Sequence, residues 1–198
     1  MTQPENQPAQ VGEVSDEELV KLSLADQGQF LHIVDRYKKK LLNYIRRLSG
    51  LSEEDAEDIL QDVFLKVYLN LNDFDGDLKF SSWIYAITRH QVISNHRRLK
   101  ARVDSSAVHL ENEAVQALAF ELSIDESLDR ALLRERLEKI INQLDPKCRE
   151  VIILRYWEEK DYREIADIMK RPAGTIASLL HKAKKDLAAL WLKEKKYV

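Results

Sequence analysis

The sequence contains little cysteine, glycine or proline. Five glycines and four prolines in 198 residues are too few for the many tight turns of a β-sandwich or β-barrel. The single cysteine, Cys148, excludes an internal disulfide and a zinc site built from several cysteines. No apolar run approaches the roughly 20 residues that span a bilayer, and MTQPENQPAQ at the start has neither the basic nor the apolar region of a secretory signal. We therefore expect a cytoplasmic protein with no membrane insertion.

Residues that favour helix are abundant. The chain is 44% hydrophobic and 33% charged, and it is rich in Leu, Ile, Ala, Glu and Lys. This composition predicts an all-α protein, which we expect to form two small helical domains joined by a flexible acidic linker. The expected boundaries are a disordered tail (1–14), a first domain (15–101), the linker (102–126) and a second domain (127–198).

The formal net charge of -3 conceals blocks of a single sign. Residues 36–47 contain six Lys or Arg and no acid, whereas residues 53–77 contain nine acids and one lysine. Residues 79–102 hold six Lys or Arg and two His, and residues 170–185 hold five Lys or Arg and one His, both without an acid. Two separated basic blocks in a chain with no net positive charge favour local contact with a polyanion.

The strongest helix signal in the first half follows Ser52, which can cap the helix. Its apolar residues recur at spacings of three and four, which predicts a wide buried stripe. The stripe consists of Ala56, Ile59, Leu60, Val63, Phe64, Val67, Tyr68 and Leu71. The acids at its start, Glu53 to Asp58, suit the positive end of the helix dipole and lack the histidine or calcium loop of a metal site. The sequence therefore disfavours a metal-dependent nuclease, and we predict that the protein binds no metal and no cofactor.

Other helix starts can be read on either side of this helix. Ser15 to Glu18 has the form of a capping box, and a further helix is expected from Phe30 to Leu48. After a loop, Ser81 or Ser82 can cap a helix that runs from Trp83 to about Arg98.

The second half carries the pattern of a helix-turn-helix. Asp145 and Pro146 form an N-cap followed by proline at the first helical position. Asp161 can cap DYREIADIMK, with Glu164 three residues on, and a final helix follows the turn KRPAG. That last helix is expected to present a polar and basic face without an acid, as a helix that reads a DNA groove requires. Its outward residues are Thr175, Ser178, His181, Lys182 and Lys185.

Two long segments together resemble the bacterial RNA polymerase sigma factors of the extracytoplasmic-function type. They are AEDILQDVFLKVYLNLNDFDGDLKFSSWIYAITR and LDPKCREVIILRYWEEKDYREIADIMKRPAGTIASLLHKAKKDL, in the order and separation of that family. The resemblance implies a transcription initiation factor and not an enzyme, with RNA polymerase core and promoter DNA as partners. Its first domain would bind the core and melt the minus-ten element, and its second would contact the minus-thirty-five element. An anti-sigma factor is a further candidate partner that these residues do not identify.

The resemblance also implies site residues. Gln61 and Asp62 match the family's core-contacting pair, with Asp in place of Glu. The loop 72–82 would form a pocket for an extruded base, because a melted strand is held by aromatic surfaces and cations. The residues assigned to minus-ten DNA are Lys79, Phe80, Ser81, Trp83, Arg89, His90, Arg97 and Arg98. Those assigned to minus-thirty-five DNA are Arg171, Thr175, Ser178, His181, Lys182 and Lys185.

Several positions depart from the family pattern or allow another interpretation. His90 stands where the family usually has asparagine and Ser94 where it has an acid, which leaves the preferred bases open. Trp83 and Tyr85 are equally compatible with core packing. The alternative class is a stand-alone helix-turn-helix regulator whose first domain senses a ligand or dimerises. An aromatic and basic strip beside an acidic helix favours the sigma factor.

Overall fold

A computed structural model of the chain describes residues 14–99, Leu118 and 130–195. The described residues form α-helices, two short 3₁₀ turns and loops, with no strand among them. In chain order the helices are α1 (Asp16–Ala25), α2 (Phe30–Ser49), α3 (Glu53–Leu69), α4 (Phe80–Leu99), α5 (Arg130–Gln143), α6 (Pro146–Tyr156), α7 (Tyr162–Met169) and α8 (Ala173–Lys195). The predicted all-α fold is confirmed for this part of the chain.

The first half packs α2, α3 and α4 around a core, with α1 against α2. Ser15 and Glu18 form the predicted capping box of α1, and Ser52 caps α3 by accepting from the Asp55 amide. Along α3 the predicted stripe is buried at Ala56, Ile59, Leu60, Val63 and Val67, while Phe64 is half-buried and Tyr68 is at the surface. Leu71, the last residue of that stripe, is buried in the 3₁₀ turn after α3. Helical periodicity therefore located this part of the core.

The start of α4 differs from the prediction. The helix begins at Phe80, three residues before Trp83, and neither Ser81 nor Ser82 lies at its N-cap. The carboxylate of Glu17 on α1 accepts a hydrogen bond from the Phe80 amide at 3.3 Å. A carboxylate at a helix start satisfies a free amide and suits the helix dipole. The cap is thus supplied from 63 residues away, which no local signal could show.

In the second half, α6 and α8 pack together and α7 and α8 form the helix-turn-helix. Asp145 caps α6, with Pro146 at the predicted position, and Asp161 and Glu164 form the predicted capping box of α7. The turn after α7 places Lys170 in the left-handed region, with φ of 51°. Helix α8 starts at Ala173 and not after Gly174, as the turn KRPAG suggested. The helical hydrogen bonds begin earlier because the Pro172 carbonyl already accepts from the Thr175 and Ile176 amides.

The two halves pack against each other. Helix α4 lies along α7, and α2 contacts α6, so the buried residues of both halves form one continuous core. The predicted tail lies outside the described residues except for Val14, which packs against the core. Of the predicted linker the structure describes Leu118 alone, and its side chain is fully buried.

Candidate functional site

One exposed face of α3 carries the residues predicted to contact a partner protein. Gln61 and Asp62 are both exposed, one turn beyond the acids that begin the helix. On the same face as Gln61, Leu65 and Leu69 leave 57% and 66% of their area exposed. The face is therefore acidic at its start and apolar at its end. Sequence reasoning missed these two leucines because it sought the buried stripe.

Asp62 also borders a groove between α3 and α4. The groove has a volume of about 320 Å³, and its acidic side is formed by Asp55, Asp58 and Asp62. Its α4 side includes Gln91, Ser94 and Arg98. In the described part of the chain no group of three or more His, Cys, Asp or Glu is arranged to hold a metal ion.

Aromatic side chains cluster at the start of α4. Phe74, Phe80 and Trp83 contact one another with ring centroids 5.4 to 5.7 Å apart, and Tyr37 stacks edge-on against Phe80. Phe80 and Tyr85 are buried, whereas Trp83 is half-buried. Phe80 therefore belongs to the core of the first half. It does not lie on the DNA-binding surface to which the sequence analysis assigned it.

A cavity of about 470 Å³ opens beside Trp83. The first half lines it with Asn70 and Asp73 of the loop, with Ser82 and Trp83 of α4, and with further α4 residues that include Arg89 and His90. Ser82 Oγ is buried and has no hydrogen-bond partner among the described residues. Such a hydroxyl is an available donor or acceptor for a polar guest. The loop 72–82 thus forms one wall of a cavity at the place where the sequence predicted a base pocket.

The second half contributes the other wall of this cavity. Asp167, Ile168 and Lys170, from α7 and the turn after it, form the facing wall. A further polar contact joins the halves: Lys79 Nζ lies 3.4 Å from a carboxylate oxygen of Glu164, and Ser81 Oγ lies 3.5 Å from the same oxygen.

The predicted cations of α4 fall into two groups. His90, Arg97 and Arg98 are exposed, and Arg98 donates to Asn95 at 3.0 Å. Arg89 is mostly covered, and its guanidinium grips Glu150 of α6 with two parallel hydrogen bonds of 2.5 and 3.2 Å. This forked geometry is the strongest way for arginine to hold a carboxylate or a phosphate.

A second buried carboxylate lies beside the first. Glu158, just after α6, accepts from Arg47 at 3.0 Å and from the Tyr85 hydroxyl at 2.5 Å. The side chains of Arg47 and Glu158 are only 5% and 4% exposed. Desolvation by burial raises the pKa of Glu158, and the Tyr85 hydroxyl and Arg47 offset part of that effect. Burial also raises the pKa of Tyr85, so its hydroxyl stays protonated and donates.

Sequence reasoning missed this network. Arg47 was counted in a basic block, and Glu150 and Glu158 were not singled out at all. Their partners are 61 to 111 residues away along the chain. The available signal was weak: in CREVIILRYWEE, Glu150 directly precedes the apolar run VIIL and Glu158 directly follows Trp157.

The residues predicted to read upstream DNA lie together on one face. Arg171, Ser178, His181, Lys182 and Lys185 are exposed, and Thr175 is partly covered. Ser178 Oγ donates to the Gly174 carbonyl at 2.9 Å, which leaves its lone pairs for an outside donor. The apolar residues Ile165, Met169, Ile176, Leu180 and Ala183 of these two helices are buried, and Ala166 packs against the core while partly exposed.

Comparison with known proteins places both halves in one family. The profile described as "Sigma-70 region 2" matches residues 33–102, and that described as "Sigma-70, region 4" matches residues 134–187. The ECF RNA polymerase sigma factor SigW of Bacillus subtilis is 31% identical over 166 residues, which cover 82% of this chain and 88% of SigW. The ECF RNA polymerase sigma-E factor of Escherichia coli is 31% identical over 181 residues, covering 87% and 92%. The chain therefore belongs to the ECF sigma factors of RNA polymerase, as the sequence motifs indicated.

Solved structures share the fold. The chain resembles CnrH in its complex with the cytosolic domain of CnrY, with a TM-score of 0.63 and 23% identity, covering 89% of this chain and 96% of CnrH. It resembles the sigma factor RpoE of Bartonella quintana, bound to the anti-sigma factor NepR, with a TM-score of 0.60 and 22% identity, covering 82% and 96%. None of the described helices is both long and apolar enough to cross a membrane. As a sigma factor, the chain binds RNA polymerase core and directs it to promoters.

Proposed function

We propose that the two halves divide promoter recognition between them. In this proposal the first half (15–101) binds the polymerase core and captures the melted minus-ten strand, and the second half (127–198) contacts the minus-thirty-five element. The segment 102–126 joins them. The observation that carries this division is the cavity beside Trp83, which is lined by Arg89 and His90 of α4 and lies in the region 2 match.

The first half has the chemistry that single-stranded DNA needs. An extruded base would enter the cavity, stack against the exposed part of Trp83 and meet polar groups such as Ser82 Oγ. His90, Arg97 and Arg98 lie on the outer surface of α4, where they would follow the phosphates. Stacking of each base is worth about 1 to 3 kcal/mol. Lys79, Ser81 and Arg89 would join this surface once α7 and α6 withdraw.

The exposed face of α3 would dock on the core enzyme. Gln61 and Asp62 supply polar and acidic groups, and Leu65 and Leu69 supply apolar area beside them. A protein interface commonly has an apolar centre with a polar rim. The face fits this arrangement without any movement of the helix.

The last helix would read the upstream element with modest stringency. Ala177 and Leu179 in the run GTIASLL can offer only apolar contact, so arginine's forked grip on guanine is absent there. Thr175, Ser178 and His181 would face base edges. Lys182 and Lys185 would contact phosphates, because an ammonium on a flexible stem selects geometry poorly, and Arg171 would contact this DNA from the turn before α8.

Three further properties belong to this proposal. The protein has no catalytic activity of its own, since its family consists of non-enzymatic initiation factors. It acts in the cytoplasm, where RNA polymerase works. An anti-sigma factor is a candidate regulator, because both structural neighbours were solved with a bound partner.

A run-off transcription assay tests the function. Purified core polymerase is combined with a library of promoter fragments, with and without this protein, and transcripts are sequenced at their starts. We expect transcripts with shared upstream boxes only when both proteins are present. A protein that binds promoter fragments tightly without core and adds no new transcripts would instead be a stand-alone regulator.

A further inference from the structure

The cavity beside Trp83 has the size and the walls of a site for a small molecule. Its volume of about 470 Å³ lies within the range of pockets that hold such ligands, roughly 300 to 1,000 Å³. Trp83 and Ile87 of α4 form an apolar part of one wall, and Ile168 of α7 belongs to the other. A small guest in this cavity would therefore contact both halves of the chain.

Each half also places one lysine and one aspartate in the cavity wall. Lys66 and Asp73 come from the first half, and Lys170 and Asp167 come from the second. No ion pair joins any of these four side chains to another residue in the described part of the chain. An acidic group and a basic group on one guest would each find an unpaired partner of opposite charge.

Hydrogen bonds decide which cations of the cavity are available to a guest. Arg89 lines the cavity, but Glu150 holds its guanidinium through two hydrogen bonds of 2.5 and 3.2 Å. Lys66 Nζ donates to the neutral side chain of Gln91 at 2.6 Å, and an ammonium has two further donors. Lys170 is exposed in the turn after α7. Lys66 and Lys170 are therefore the cations that can take up a carboxylate.

One buried polar group in the cavity wall has no partner. Ser82 is only 1% exposed, and its Oγ makes no hydrogen bond to any described residue. Buried hydroxyls are nearly always bonded, because burial without a partner is unfavourable. The buried Ser23 of α1, for example, donates to the Leu19 carbonyl at 2.7 Å. A polar guest in the cavity would give Ser82 the partner that the chain does not provide.

We propose that this cavity binds a small molecule with a flat ring, a carboxylate and an ammonium, the chemical class of the aromatic amino acids. The ring would stack on the exposed part of Trp83. Lys66 and Lys170 would hold the carboxylate, and Asp73 and Asp167 would hold the ammonium. A purely anionic guest would face two aspartates, and an uncharged ring would leave all four charges unpaired.

The ligand site follows from the cavity and does not depend on promoter recognition. Its consequence for DNA rests on the function proposed above, because the guest and an extruded base would stack on the same Trp83. A bound guest should therefore weaken binding of a single-stranded DNA of about 12 nucleotides, a length that matches the site size of such grooves. If a guest binds and DNA affinity is unchanged, the ligand site stands and the base pocket fails.

The binding test uses the full chain and four indole compounds, titrated by isothermal titration calorimetry. L-Tryptophan has the ring and both charges, indole-3-propionate lacks the ammonium, tryptamine lacks the carboxylate, and indole lacks both. We expect a Kd of about 0.1 to 1 mM for L-tryptophan, which is ordinary for a ligand of this size. The other three should bind about ten-fold more weakly or worse, because each leaves charged groups of the cavity unpaired.

A matched pair of variants locates the binding. Ala86 lines the cavity from α4, whereas Ala188 lies half-buried on α8, away from the cavity. Ala86→Leu fills part of the cavity and should weaken L-tryptophan binding about ten-fold or more, and Ala188→Leu should bind as the wild type does. Should circular dichroism show that Ala86→Leu loses helix, Ser82→Ala replaces it, with Ser23→Ala as its control. Weaker binding by Ser82→Ala alone then supports the site, and equal affinities overturn it.

Three results would overturn the proposal. They are no binding of L-tryptophan up to about 10 mM, ten times the weakest Kd expected, indole binding as tightly as L-tryptophan, and equal affinities in Ala86→Leu and Ala188→Leu. The titrations contain neither DNA nor polymerase, so the run-off assay is independent of them. If L-tryptophan binds as expected and no promoter-specific transcript appears, the ligand site stands and the function fails. If transcripts appear and no compound binds, the function stands and the ligand site fails.

Discussion

Arg89 shows how one side chain can be specified for two partners. Its fork is filled by Glu150 of the second half, yet Arg97 and Arg98 on the same helix are exposed. A lysine at this position would keep the charge and lose the paired geometry. The guanidinium of Arg89 therefore joins the two halves, and the same group would bind a phosphate of DNA in the function proposed above.

The face of α3 that we propose to dock on polymerase core gives the first prediction. Gln61 and Asp62 are both exposed, so replacing them by alanine should leave helix content and stability largely unchanged. Affinity for polymerase core should fall, and a loss above about 1 kcal/mol would place the pair among the minority of interface residues that dominate binding. Titration of labelled core by fluorescence anisotropy measures the change.

The matched control for this variant is Glu135→Ala with Gln143→Ala, another exposed acid and amide, on α5. This control should bind core as the wild type does. Equal affinity for both double variants would show that α3 does not use these residues for docking.

Residues whose roles follow from local spacing could be predicted from the sequence. Ser15, Ser52, Asp145 and Asp161 all cap helices as expected, because a cap bonds to amides two or three residues away. Glu150 and Glu158 could not be predicted, because their stabilising partners lie in the other half of the chain. Phe80 was misplaced for a related reason, since its aromatic neighbours decide whether it faces solvent.

At the scale of elements, the cap of α7 gives a prediction with a defined pH dependence. The Asp161 carboxylate accepts from the Arg163 and Glu164 amides, at 2.8 and 2.9 Å. The Glu164 amide is the largest cause that lowers the pKa of Asp161 below its ordinary 3.8. Asp161→Ala should therefore reduce the free energy of unfolding by about 1 kcal/mol at neutral pH.

The sign of the pH effect follows from that lowered pKa. The stabilisation is fully present above the unfolded-state pKa and is lost as pH falls through the folded-state pKa, because the protonated carboxyl accepts poorly. Urea titrations at neutral pH and below pH 4 measure the free energy of unfolding of the wild type and of Asp161→Ala. The difference between the two free energies should become smaller only in acid. Asp161→Asn, which keeps a side-chain acceptor, should show a smaller loss and no such narrowing at this site. A gap that is constant with pH would contradict the role of the charged cap.

The helix-turn-helix gives the third prediction, which concerns α8. Lys182 is exposed on the outer face, two turns after the helix start. As a phosphate contact it carries no base information, so Lys182→Ala should weaken binding to all upstream sequences alike. It should also lower the salt slope of binding by about one counterion unit.

A panel of single substitutions through the upstream box, bound by holoenzyme over a range of salt, provides the measurement. Lys193→Ala, at the far exposed end of α8, serves as the control and should leave the salt slope unchanged. If Lys182→Ala loses discrimination at one base pair and keeps it at the others, Lys182 reads that base, and the division of roles on α8 is wrong.

The elements themselves were predictable, and their arrangement was not. Periodicity and caps located the helices of both halves because those signals are local. The packing of α4 on α7 and of α2 on α6 depends on single side chains that interlock across the chain, and periodicity contains no record of them. A helix begins at a residue other than the predicted one where a distant group caps it, as Glu17 does for α4.

At the scale of the whole molecule, two neighbouring arginines allow an ion pair at the surface to be compared with a buried ion pair that joins the halves. Arg46 pairs with Glu53 and Arg47 pairs with Glu158, both at 3.0 Å. The first pair is 35% and 63% exposed, and the second only 5% and 4%. Because the two distances are equal, any difference in how much the pairs stabilise the fold must come from their burial.

Removing one partner of each pair should therefore have unequal effects. Arg46→Ala frees Glu53 into water and should cost less than about 1 kcal/mol of unfolding free energy. Arg47→Ala leaves the Glu158 charge buried without its arginine and should cost about 3 to 5 kcal/mol, unless the halves part and let water reach it. Urea unfolding, followed by hydrogen exchange in α3 and α6, distinguishes these responses. We expect both helices to unfold together in the wild type and in Arg46→Ala, and α6 to lose protection first in Arg47→Ala. Equal losses for the two variants, with α3 and α6 still unfolding together, would mean that the buried pair does not join the halves.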